Sequence, residues 1–192
     1  MYLFFDTETT GLPKNWKAPV TDLDNWPRMI QIGWLLCDSE GNRLSVGNHI
    51  IKPEGFIIPK GASDVHGIST EKAIKEGKPL RDILIEFNAL IEKSSSVVAH
   101  NINFDKMILG AELLRKGIES SFENKPKICT MNSSTAYCNI PGRYGPKWPT
   151  LSELHIKLFG HDFEGAHDAF ADIEATEKCF WELIKLDVIK KH

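Results

Sequence analysis

Apolar positions change their period along the chain. Residues 2–5 form a short apolar run that meets Asp6 at once, residues 29–37 a longer one, and residues 43–52 a third; all three read as strands. Between the last two lies Asp38-Ser39-Glu40-Gly41-Asn42, which is turn chemistry and predicts a hairpin. The period then becomes helical. Leu80, Ile83, Leu84, Phe87, Leu90 and Ile91 recur at helix spacing just after Pro79. Val97-Val98-Ala99 is a short strand. Phe104, Met107, Ile108, Ala111 and Leu114 form a second helical stripe, stopped by Gly117. Ile128 marks a brief strand, and residues 151–159 and 168–186 read as further helices, the last with Ala169, Ile173, Thr176 and Phe180 facing inward. Strands first, then alternating helix and strand, predict an α/β class: one mixed sheet flanked by helices. No repeat or linker divides residues 1–192, so a single domain is expected.

Two stretches escape both periods. Residues 12–27 hold three prolines and two tryptophans, and residues 141–149 hold three prolines with Arg143, Lys147 and Trp148. The tryptophans can pin these loops to the body. Trp16 and Trp148, with Lys14, Lys17, Arg143 and Lys147, also offer the pairing of stacking surface and cation that single strands use.

Of the 192 residues, 42% are hydrophobic and 26% charged, which excludes a disordered chain. No apolar run approaches the ~20 residues of a membrane span, and the apolar start is too short for a signal peptide. Cys37, Cys129, Cys138 and Cys179 are widely spaced and form no C-x-x-C pair, which predicts reduced thiols and a cytoplasmic setting. The formal charge of −3 argues against a binder of phosphate backbones. Setting aside four acids as metal ligands reverses the sign to +1.

Those acids lie in three motifs. In Phe5-Asp6-Thr7-Glu8-Thr9-Thr10-Gly11, strand alternation puts Asp6 and Glu8 on one face, with Cα atoms roughly 6.5 Å apart. In Ala99-His100-Asn101-Ile102-Asn103-Phe104-Asp105, a strand ends and Asp105 falls in the first turn of a helix, able to point back to the strand ends. In His167-Asp168-Ala169-Phe170-Ala171-Asp172, Asp172 borders an inward helical face. His167, about 140° away on a regular helix, belongs on the preceding loop, with Asp168 or a neighbour as cap. Each motif alone has an ordinary reading: a strand ending in water, a carboxylate complementing a helix dipole, a surface histidine. Together they bring carboxylates from separate elements to one place. Hard oxygen ligands of this kind suit magnesium or manganese.

In this order the three motifs, with a weaker match at Val65-His66-Gly67-Ile68, resemble the DEDDh exonucleases over nearly the whole chain. The resemblance implies a ribonuclease H-like fold with a five-stranded mixed sheet and a site for two divalent cations, Mg2+ or Mn2+. Asp6 would bridge both. Glu8 and Asp172 would complete one site, and Asp105 would serve the other partly through water. His167 would take the proton from the attacking water, and the reaction would release nucleoside 5′-monophosphates from a 3′ end. In similar enzymes the stretch with Thr9 and Leu12 contacts the last sugar and wedges the last bases, and His66 lies against the terminal base. Gly11 lets backbone approach closely, Phe104 offers an apolar surface, and His100 and Asn101 can bind phosphate or order the metal shell.

The expected partner is nucleic acid with a free 3′ end, single-stranded DNA first. With His192 following soon after the last helix, no polymerase-tethering tail is expected, and a stand-alone repair or trimming enzyme is expected over a dedicated proofreader. An exoribonuclease trimming short RNA or tRNA ends is one rival, since the motifs do not distinguish sugars. A non-catalytic nucleic-acid-binding module is another. His161-Asp162 is a rival source of the base.

Overall fold

The computed structural model describes residues 1–165 and 168–191. Three strands open the chain: β1 (Tyr2–Thr9), β2 (Met29–Cys37) and β3 (Arg43–Ile50). Then come α1 (Lys60–His66), α2 (Thr70–Glu76), α3 (Leu80–Lys93), β4 (Ser96–Ala99), α4 (Ile102–Lys116), β5 (Lys127–Cys129) and α5 (Thr130–Cys138). A two-residue hairpin, β6 (Pro141–Gly142) and β7 (Gly145–Pro146), precedes α6 (Leu151–Phe159) and α7 (Ala169–Lys185). The main sheet has the order β3-β2-β1-β4-β5. β1 runs antiparallel to β2 and parallel to β4, so this is the mixed five-stranded sheet expected.

The turn at residues 38–42 closes as its composition predicts. Asp38 Oδ1 accepts the Glu40 and Asn42 N–H groups at 2.8 and 2.9 Å, and Gly41 supplies the positive φ of 89°. Alternation along β1 sorts the core. Leu3 and Phe5 face α3 and α4 with Trp34, Phe87, Ile108 and Phe122. Tyr2 and Phe4 face α7 with Leu35, Ile173, Phe180 and Leu183. β2 is buried at every position because helices cover both faces of the sheet.

Several expectations need correction. β1 continues past the apolar run of residues 2–5 as far as Thr9, so Asp6 and Glu8 lie in its carboxyl-terminal half and share one face as alternation predicts. β3 ends at Ile50, two residues early; Ile51 then bridges Lys78. On α4 the inward face is Ile102, Asp105, Ile108, Leu109, Ala111, Glu112 and Leu113. Phe104 and Met107 lie at its margin, and Leu114 is exposed. Two inward carboxylates break the apolar stripe, which shifts the apparent face. Helices α1, α2 and α5 carry too few apolar positions to show a period. Among the described residues no helix is long and apolar enough to cross a membrane.

Candidate active site

The site forms at the carboxyl ends of β1 and β4, where the sheet changes from antiparallel to parallel pairing. β4 pairs with β1 only as far as Phe4↔Val98. Beyond that point β1 has lost its neighbour on that side, and a buried N–H needs another acceptor. Asp105 of α4 supplies it. Its Oδ1 accepts the Thr7 N–H at 3.1 Å and the Thr7 Oγ1–H at 2.8 Å. The corner from β4 to α4 is made by Asn101, in the left-handed region at φ 66°, a conformation asparagine tolerates.

Asp6 and Glu8 project from the other face of β1, toward α7. Asp168 caps that helix, its Oδ1 accepting from Phe170 and Ala171 N–H, and Asp172 sits one turn in. One ligand oxygen from each of Asp6, Glu8 and Asp172 can be chosen so that all three lie within 4.8 Å of one another. Asp105 stands outside that trio but close enough to raise the pKa of both Asp6 and Glu8.

The electrostatics are those of buried carboxylates that repel one another. Burial first, then the charges of Asp105, Asp172 and Glu8, hold the Asp6 carboxyl well above the usual carboxylate range. Burial, then Asp172 and Asp105, push Glu8 up to about 8. Asp105 rises to about 7 through burial, against the lowering effect of its Thr7 hydrogen bonds. Among the described residues, no ion pair uses Asp6, Glu8 or Asp105. Carboxylates crowded without basic partners fit divalent cations, which would supply the missing charge.

Beside the acids lies a pocket of about 400 Å³, lined by Thr7, Glu8, Thr9, Gly11, Leu12, Gly61, Ala62, Val65, His66 and Phe104. It gathers five of the sequence-predicted substrate residues. Thr9 Oγ1 donates to Gly11 O at 2.7 Å, and Gly11 takes φ 141°, closed to ordinary side chains even though the space beside it is open. Leu12 is 73% exposed at the rim. His66 ends α1. Its Nδ1 accepts the Ile68 N–H at 3.1 Å, which puts the proton of the neutral ring on Nε2, a buried atom without a partner among the described residues.

His100 is placed differently from the phosphate contact expected of it. Nε2 donates to Pro149 O at 3.1 Å, and Nδ1 lies 3.0 Å from Thr130 Oγ1, so both nitrogens are occupied by protein. Burial lowers its pKa to about 4, in keeping with a neutral ring. It ties the 141–149 loop to the end of β4. His167 lies outside the described residues. The rival base His161 sits against His155, ring centroids 5.3 Å apart, in a pocket that contains none of the four acids.

Sequence reasoning missed Thr7, Gly33 and Glu112. Thr7 holds Asp105. Gly33 pairs with Asp6 across β1 and β2, and a Cβ there would lie 2.3 Å from Ile173 Cδ1 and 3.4 Å from Ala169 O. Its bareness brings α7, and Asp172 with it, down to the sheet. Glu112, fully buried, accepts from Arg28 Nε at 2.8 Å and Met29 N–H at 3.0 Å, and lies 3.0 Å from Arg115 Nη1. It fastens the 12–28 segment to α4. Only Glu112 left a sequence signal, as an acid breaking an apolar stripe.

An acidic cluster at the carboxyl edge of a mixed sheet with helices on both faces is an arrangement that can hold divalent cations. The model of the RNase T exonuclease family matches residues 3–180, and the chain belongs to that family, as its resemblance to the DEDDh exonucleases implied. Its fold is similar to that of E. coli exonuclease I in complex with a dT13 oligonucleotide, at 22% identity and TM-score 0.74. It is equally similar to the zinc-ion-bound form of an E. coli exonuclease I–single-stranded DNA complex, at 22% identity and TM-score 0.76. Each comparison covers 96% of this chain and 40% of the other, so the chain spans about two-fifths of the exonuclease I length. No curated protein matches the sequence.

Proposed function

We propose that the protein is a 3′→5′ exonuclease that removes nucleoside 5′-monophosphates from single-stranded DNA. The observation that carries this reading is the convergence of Asp6, Glu8 and Asp172, with Asp105 beside them, next to a mostly apolar pocket that Glu8 lines. Asp6, Glu8 and Asp172 would hold one divalent cation, and Asp6 with Asp105 a second. When bound, such ions neutralise charge developing on the phosphate and acidify the attacking water.

The remaining work falls to side chains. The pocket takes the terminal nucleotide. The Nε2–H of His66 is a donor for a base edge, and Leu12 at the rim separates the last base from its neighbour. Gly11 lets the strand run close to the β1 end. His167 is the general base: it precedes the helix cap Asp168 in sequence, and an imidazole is the side chain whose unperturbed pKa, about 6.5, suits proton transfer at neutral pH.

Degradation of a labelled single-stranded DNA with Mg2+ or Mn2+ tests the reading. Asp6→Ala and Asp172→Ala should abolish cleavage with circular dichroism unchanged, and His167→Ala should lose on the order of 10²-fold in rate. Full activity of Asp6→Ala overturns the proposal, and loss of rate in His161→Ala alone overturns the choice of base. A matched RNA oligomer in the same assay decides the sugar.

A further inference from the structure

The segment between β1 and β2 carries two tryptophans with opposite duties. Trp26 is 3% exposed, and its Nε1–H donates to Pro19 O at 3.0 Å. It pins the segment to the body. Trp16 is 57% exposed at the tip. The backbone around Trp16 is nonetheless fixed. Asn15 N–H donates to Asn25 Oδ1 at 2.7 Å, Asn25 Nδ2 donates back to Asn15 O at 3.0 Å, and Lys17 N–H donates to Asn15 Oδ1 at 2.9 Å. Asn25 itself is buried. A rigid tip that presents an indole to water has little internal purpose, since the pinning is done elsewhere. An aromatic ring with two rotatable bonds, held this way, loses little entropy when something stacks on it.

What it presents the ring beside is equally specific. The Trp16 and Phe104 centroids are 5.8 Å apart with planes at 47°. Phe104 lines the pocket at the acids and immediately precedes Asp105. Phe104 therefore joins the pocket on one side to the Trp16 ring on the other. Lys14 and Lys17 flank the tip, both exposed and outside every ion pair among the described residues. An apolar partner protein would be served by the ring alone. A ring framed by two free ammonium groups matches a base with phosphates on either side.

We infer that Phe104 and Trp16 form a two-step stacking shelf for the nucleotides just upstream of the 3′ end, with Lys14 and Lys17 holding their phosphates. Phe104 is the inner step and Trp16 the outer. The shelf would give the enzyme a preference for single strands of three nucleotides or more, because a duplex keeps its bases stacked on each other. The inference rests on the nuclease reading above and extends it to substrate length and strandedness.

The test compares Trp16→Ala and Trp16→Phe with wild type on DNA dinucleotides and octanucleotides. Trp16→Ala should raise KM for the octamer about tenfold, with kcat within twofold and KM for the dimer little changed. Trp16→Phe should keep most of the wild-type KM. Octamer binding should quench tryptophan emission in wild type, and Trp16→Phe should lose the largest share of that quenching. Lys14→Ala should lower the salt slope of octamer affinity by about 0.7. Equal losses on both lengths, or no loss on either, overturn the shelf. If wild type cleaves neither length, the nuclease reading fails, and the fluorescence titration still decides the shelf: no quenching by the octamer overturns it.

Discussion

Thr7 stands between two carboxylates and serves a third. Its neighbours Asp6 and Glu8 point to one face of β1, while its own N–H and hydroxyl hold Asp105 from the other. Two donors on one oxygen keep Asp105 in a fixed direction and lower a pKa that burial has raised. Partners of this kind orient a carboxylate as surely as the backbone does. Thr7→Val keeps the shape and the N–H but loses the 2.8 Å bond. It should cut kcat/KM by about tenfold, with the far-ultraviolet spectrum unchanged; a wild-type kcat/KM would show that Asp105 needs no such support. The motif exposed Asp6, Glu8 and Asp105 because acids at strand and helix ends are conspicuous. Thr7 was silent, since a threonine in a strand is ordinary until the strand beside it stops short.

At the scale of elements, the position of α7 on the sheet decides whether Asp172 meets Asp6. Gly33 sets that distance, because Ile173 occupies the space a side chain would take. A methyl group could be accommodated by turning the end of Ile173. A branched side chain would reach toward the Ala169 carbonyl and lift the helix. Gly33→Val should therefore lower kcat/KM on the order of 10²-fold, the cost of roughly 1 Å of misplacement, and weaken Mn2+ binding measured by calorimetry. Wild-type Mn2+ affinity in that variant would refute the argument. The inward acids of α4 follow the same logic. Asp105 is turned toward the site and Glu112 toward Arg28 and Arg115, so one helix both brings a carboxylate to the acidic cluster and anchors the segment that carries Thr9, Gly11, Leu12 and Trp16. The apolar period of α3 was legible to the residue. That of α4 was not, because its carboxylates occupy core-facing positions that only their partners make tolerable.

Across the whole molecule, folding brings together like charges that the unfolded chain keeps apart. Glu8 titrates near 8 and Asp105 near 7, against an ordinary value of about 4. Between those limits the folded state retains protons that the unfolded state has released, so stability falls as pH rises. Without metal, Tm should fall by several degrees between pH 5 and pH 8.5. Saturating Mn2+ should remove most of that fall, since the ions bind only the folded arrangement. Scanning calorimetry in chelator and in Mn2+ measures both. A flat Tm in chelator, unmoved by the cation, would mean that these carboxylates do not repel one another.

The sequence by itself determined the class of sheet, the hairpin at residues 38–42, the apolar face of α3, and the acids in their order along the chain. These depend on local period and on residue chemistry, which neighbours in the chain disclose. Tertiary structure decided what those acids touch. Asp6, Glu8 and Asp172 come from β1 and α7, and their meeting depends on a bare glycine in a different strand. The early end of β4 makes Thr7 a donor, His100 becomes a tie because Pro149 reaches it, and Trp16 differs from Trp26 only in what surrounds it. Contacts between residues far apart in the chain set all of these, and no local pattern encodes them.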